Sequence, residues 1–220
     1  INLTSINNNS ASSNSSPAKG GAIYALGKLN IDESIIDSNS VIRSIAQGDT
    51  EVAGGGIYAT SESFSLTNST VSNNLSLQEE EGDQSGSNVL GGGIAITYAD
   101  GTEDDASSQS ALIQNTTISN NTASNLTSSG TSMGGAIYVY FLTALNIESS
   151  SIIDNTLDSS DSFAAGINAD SQSYAVSLSN SILAYNTSDA VEALNDDCTS
   201  ITSLGYNLIS TDTCGFGLST

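Results

Sequence analysis

The sequence predicts an all-β fold: a right-handed parallel β-helix (a solenoid) of about six to seven coils, with three short strands per coil. Three observations predict it. A unit recurs roughly every 30 residues, apolar residues alternate with polar ones inside it, and a Gly-Gly pair and an Asn return at fixed places. The stretch Gly20–Asn39 has near-copies beginning at Gly54 and Gly134.

The unit is anchored on a hydroxyl five residues before the recurring Asn. The anchors are Thr4, Ser34, Ser69, Thr116, Ser150 and Ser181, and the partners are Asn9, Asn39, Asn74, Asn121, Asn155 and Asn186. Three residues before each anchor stand Ile1, Ile31, Leu66, Ile113, Ile147 and Leu178; two residues after it stand Ile6, Ile36, Val71, Ile118, Ile152 and Leu183. Polar residues separate these columns. Alternation of period two marks strands with one buried face. The inward parity shifts near the anchor, which places a bend there between two strands. The third strand follows the glycines and carries Ile23, Ile57, Ile94, Ile137 and Ile167. Its intervening Tyr24, Tyr58 and Tyr138 are expected to point outward.

The spacing between successive Asn residues is 30, 35, 47, 34 and 31. A helical repeat needs a 3.6-residue period, which is absent, and a propeller blade needs four strands in about 40–45 residues. Right-handed winding is the default for parallel crossovers, and successive coils are expected about 4.8 Å apart. Stacked aliphatics then form a continuous core. Stacked Asn side chains form an amide ladder, and the glycines permit positive φ or close backbone approach.

Length and charge bound the function. The 220 residues suffice for one large domain, and hydrophobic residues make up 37%. Three basic residues against 24 acidic ones leave a net charge of −21, with no His. Such a chain does not suit phosphate backbones or anionic membrane surfaces, so nucleic acid is excluded as a partner. No apolar run of membrane-spanning length occurs. The sequence opens at Ile1 in mid-repeat, as expected of a mature or excised segment.

The repeat domain is expected over residues 1–190 and a C-terminal cap over 191–220. Acidic insertions fall near 75–90 and 97–110, at two corners of the coil. Glu79, Glu80, Glu81, Asp83, Glu103, Asp104 and Asp105 are the candidate calcium ligands there, although the spacing of a dedicated calcium loop is missing. Solvated loops are the simpler reading, with no cofactor. Cys198 and Cys214 are the only cysteines. Buried thiols are one reading. Their shared place on the last turn favours a disulfide, which closes a loop of 16 residues and contributes on the order of 3 kcal/mol. Asn-x-Ser/Thr sequons at Asn2, Asn68, Asn115 and Asn186 are expected from composition alone.

The Gly-Gly-Ala-Ile units and the Ser-x-Ile-x-x-Asn units resemble bacterial right-handed β-helix surface proteins, among them chlamydial polymorphic outer-membrane proteins. The ending, with "NSILAYNTS" (180–188), an Asp-Cys, "SLGYNLI" (203–209) and a final Cys, is similar to the C-terminal pattern of secreted bacterial β-helix proteins. The resemblance implies the fold and a secreted or cell-surface location, and leaves activity open.

Many β-helices act on polysaccharides, and that chemistry makes specific demands on residues. Hydrolytic sites need paired carboxylates, and lyase sites pair calcium with a basic residue. His is absent, and Arg43 is the sole arginine, in a segment read as a variable loop. Asp196 and Asp197 are adjacent, and neighbours on a strand face opposite ways; they fit a cap better than a dyad. The tyrosines fit exposed strand positions better than sugar platforms. The expectation is therefore a non-catalytic structural or adhesive protein. Its partner is itself, a host surface or a glycan, and a polysaccharide-active enzyme or carbohydrate-binding module is the alternative.

Overall fold

In the computed structural model the described residues are 1–14, 16–45, 51–60, 63–81, 87–97, 110–127, 130–140, 144–159, 161–169, 176–189, 197–199, 201–210, 214 and 216. They form a parallel β-solenoid. One coil shows the plan. Its strands are Glu51–Ala53, Ile57–Thr60, Ser63–Thr67, Thr70–Ser72 and Leu75–Glu81. Each strand joins a different parallel sheet, named A to E in that order. The sheets hold five, six, six, seven and six strands respectively.

Five strands per coil replace the expected three. The aliphatic columns had revealed sheets B, C and D. Sheets A and E are hidden in the sequence because small and polar residues interrupt their inward columns: Ala18, Val52, Val89, Ser132 and Ser162 in A, and Ala11, Val41, Ser76, Ala123 and Leu157 in E. The coil count also differs. Strands from Ala18 to Ser188 complete five circuits, with partial circuits before and after them. The segment 75–90 is not simply an insertion: Leu75–Glu81 is a strand of sheet E and Asn88–Leu90 a strand of sheet A.

Register is kept coil after coil. Ile36 pairs with Ile6 and Val71, and Ile118 with Val71 and Ile152. Each coil thus adds one aliphatic residue to this inward column of sheet D. Sheets B, C and D enclose the main core, built from Ile57, Phe64, Leu66 and Val71 and their counterparts. Sheets E and A enclose a thinner lobe around Val41, Val52, Val89, Ala123 and Leu157. Burying each such side chain contributes about 1.5–3 kcal/mol before the entropy of ordering is counted.

The bends have a common construction. Between sheets C and D, and again between D and E, one residue adopts positive φ and the next projects into the stack. Asn68 (φ 49°) precedes Ser69, and Asn73 (φ 55°) precedes Asn74. Asn tolerates this left-handed conformation better than most residues. That accounts for the Asn-Asn pairs at 73–74 and 120–121, in which the first residue turns the chain and the second joins the ladder.

Candidate functional site

The main polar feature is internal. Each ladder Asn donates from Nδ2 to Oδ1 of the Asn one coil later, at 2.9–3.0 Å, from Asn9 through Asn39, Asn74, Asn121 and Asn155 to Asn186. The backbone N–H of each rung donates to the same oxygen. Nδ2 also reaches back to a carbonyl of the preceding coil, as Asn121 does to Val71 at 3.0 Å. A second ladder runs along the hydroxyl anchors. The N–H of Ser34 donates to Ser69 Oγ (3.0 Å), and that of Ser150 to Ser181 Oγ (3.0 Å). Both ladders satisfy groups that burial would otherwise penalise.

The glycines press on the amide ladder from the opposite wall. Gly54 takes positive φ (69°), and a side chain on Gly55 would overlap the backbone of Gly92 and Leu75. A Cβ on Gly56 would stand 3.1 Å from the Asn74 side chain. The Gly-Gly corner and the Asn bend, far apart along a coil, therefore meet across a narrow waist between the main core and the thin lobe.

The outward tyrosine expectation holds for Tyr24 alone, which is 54% exposed. Tyr58 and Tyr138 are buried in a third cluster with Ala53, Leu90 and Ala95. Sheets A and B meet there at a re-entrant corner, so the outer face of each covers the other. Tyr24 stacks on Tyr58 with centroids 5.4 Å apart. Lys19 lies 4.6 Å from the Tyr58 ring centre, bonds its hydroxyl at 3.0 Å, and pairs with Glu51 at 2.8 Å. Burial works to lower the Lys19 pKa, but the bonds to Glu51 and Tyr58 outweigh it and hold it above its ordinary value.

Arg43 is not in a loop. It lies in the sheet E strand Ser40–Ile45, its side chain fully buried, and burial lowers its pKa. Among the acidic candidates, Glu79 is half-buried on Leu75–Glu81, and Glu80 and Glu81 end the same strand. Asp83, Glu103, Asp104 and Asp105 lie outside the described residues, as does Asp196. Among the described residues no group of three His, Cys, Asp or Glu side chains converges as a metal site. Cys198 and Cys214 are disulfide-bonded, with Cα atoms 5.2 Å apart. Of the sequon residues, Asn186 is a buried ladder rung, whereas Asn68 and Asn115 turn exposed bends and bond each other at 2.8 Å.

Two partly exposed carboxylates repeat one arrangement. Asp32 accepts from Thr67 (2.6 Å) and Asn68 (2.8 Å), and Asp37 from Ser72 (2.7 Å) and Asn73 (2.7 Å). These bonds hold both carboxyls below their ordinary pKa. They clip one coil to the next along either edge of sheet D.

The outer face of sheet D changes character along the rod. One column reads Ser5, Ile35, Thr70, Thr117, Ser151, then Ile182 and Leu208, so that two apolar residues fall together only at its C-terminal end. Near its C-terminal end a shallow groove of about 400 Å³ is floored by Ile153, Ile182, Ala184 and Leu208 and flanked by Tyr185. Tyr185 is 71% exposed and Tyr206 94%. Both have positive φ (59°), at bend positions that in most other coils hold Asn, Ser or Asp, with Leu3 and Glu33 the exceptions. The sequence carries this signal only as two tyrosines, Tyr185 and Tyr206, in columns of turn residues.

Residues 115–140 match the Chlamydia polymorphic membrane protein repeat. This segment holds a ladder rung, Asn121, and the next Gly-Gly pair, Gly134-Gly135, so the match covers the two motifs that meet at the waist. Together with the parallel solenoid it fits the resemblance to polymorphic-membrane-protein-like β-helix repeats. That repeat family is associated with the outer membrane and cell surface. Neither the curated proteins nor the solved structures include a significant match to the chain. No helix among the described residues is long and apolar enough to cross a membrane.

Proposed function

We propose that this right-handed β-helix is a surface-exposed, non-catalytic scaffold of a bacterial outer-membrane-type protein, secreted or held at the cell surface. It mediates attachment to a host surface or self-assembly. The observation that carries the reading is the use made of the repeat's polar residues. Ser, Asn and Asp side chains that could serve chemistry are spent on coil-to-coil bonds, as in Asn74 to Asn121 and Asp37 to Ser72. The match to a surface-protein repeat supports the location. No cofactor enters this reading, and calcium would enter only through the acidic insertions.

The exposed Tyr185 and Tyr206 favour a second reading, a carbohydrate-binding module, because tyrosine rings stack on sugars while their hydroxyls stay wet. Beads coated with the protein, applied to host-cell monolayers, together with sedimentation over a concentration series, test the proposal. Retention above blank beads, or concentration-dependent assembly, supports it. Monomers that bind no surface sink it, and depolymerisation of an added polysaccharide moves the protein to the enzyme class.

A further inference from the structure

The amide ladder has a direction. Every rung presents its oxygen to the preceding coil and one amide N–H, with the backbone N–H, to the following one; in Asn74, Asn121 and Asn155 the other amide N–H turns back to a carbonyl of the preceding coil. Aligned amides polarise one another, so the donor end of the row accumulates partial positive charge, as the N-terminus of a helix does. That end is Asn186, and the sequence offers it no seventh Asn. Instead Asn186 Nδ2 donates to Asp197 Oδ1 at 3.0 Å.

Asp197 arrives from the opposite wall of the waist. Cys198 pairs with Ile167, so Asp197 is in register with Gly166. This column elsewhere holds Gly56, Gly93 and Ala136, residues small enough to leave the Asn side chains room. Past the last rung that room is vacant, and the Asp197 side chain fills it. The carboxylate is fully buried, and its second oxygen accepts from Ser210 Oγ at 3.1 Å. The hydroxyl ladder ends similarly. Asn207 Oδ1 takes the N–H of Ser181 at 2.9 Å in place of a next hydroxyl, and its Nδ2 turns back to Leu178 O at 2.8 Å.

We propose that Asp197 is the terminator of the amide ladder: a buried carboxylate that neutralises the donor end, with Asn207 closing the parallel hydroxyl row. The segment carrying both, held by Cys198–Cys214, is a clasp that ends coil stacking on this side. An acceptor without a donor suits this place, because a further amide would leave its own N–H unmet.

Hydrogen exchange on the full chain tests this, comparing Asp197→Ala, Asp197→Asn and Ser210→Ala. In Asp197→Ala, amides of 182–188 are expected to exchange about ten- to a hundredfold faster, with the effect fading toward Asn121. Asp197→Asn keeps an acceptor oxygen without the charge and should fall between that variant and the parent. Ser210→Ala should change least. If Asp197→Ala does not fold, Asp197→Asn decides by its side-chain amide spectrum: shifts at Asn186 that continue into Asn155 support a polarised row. Unchanged exchange at 182–188, or shifts confined to Asn186, overturn the proposal.

Discussion

The two lobes of each coil solve burial differently. The main core is filled by large aliphatics in unbroken columns, such as Ile57, Ile94, Ile137 and Ile167. The thin lobe holds valine, alanine and leucine beside buried Ser76, Ser132, Ser162, Gln78 and Arg43. The main core therefore dictates register, because a one-residue slip would expose a whole column. The thin lobe follows that register and tolerates variety. The waist between them admits neither freedom, since backbone approaches backbone there.

Substitutions graded across this boundary test the division. The largest effect is expected at the waist. Gly92→Ala places a Cβ against the backbone of Gly135 and Thr122, and should cost at least about 3 kcal/mol in urea unfolding. A cost below about 1 kcal/mol would mean that the waist can widen. Next comes Asn121→Ala, which strands two donors of Asn74 and removes one of the two donors to Asn155 Oδ1, the backbone N–H being retained. A loss of roughly 2–3 kcal/mol is expected, and a neutral result would reduce the ladder to decoration.

In the thin lobe the sign should reverse. Ser132 is buried, its Oγ has no hydrogen-bond partner among the described residues, and it shares a column with Val52 and Val89. Ser132→Val is expected to be neutral or stabilising by up to about 1 kcal/mol. Clear destabilisation would show that this lobe is packed as strictly as the core.

The smallest effect is at the surface. Asp32 and Asp37 have folded pKa values below their ordinary 3.8, so their contribution is complete above that value and is lost as pH falls through the lower folded values. Acid unfolding of an Asp32→Asn, Asp37→Asn double variant should therefore show a shallower dependence below about pH 4. An unchanged slope would mean that the clips are idle.

The same contrast explains what was legible in the sequence. Ile31, Ile36 and Ile57 announced sheets C, D and B because strong apolar residues recur at fixed spacing. Ser76 and Ser132 concealed sheets E and A, since a small polar residue facing a thin lobe looks like a loop residue. Tyr58 was misplaced because alternation within one strand does not reveal that a neighbouring sheet folds over its outer face. Asp197 looked like half of an acidic pair. Its role depends on alignment with Gly166 across the waist, a relation that no local window contains.

The rungs of the amide ladder are separated by as few as 30 and as many as 47 residues, yet the bonds between them stay at 2.9–3.0 Å. The extra length enters where sheet E passes to sheet A, after Glu81, and where sheet B passes to sheet C, after Thr97. Closing a longer loop costs little more than closing a short one. The frame is thus indifferent to its cargo: two edges of the rod can accept new sequence while the spine is copied unchanged. A lineage under pressure to alter its outer face could do so at these edges without refolding the protein.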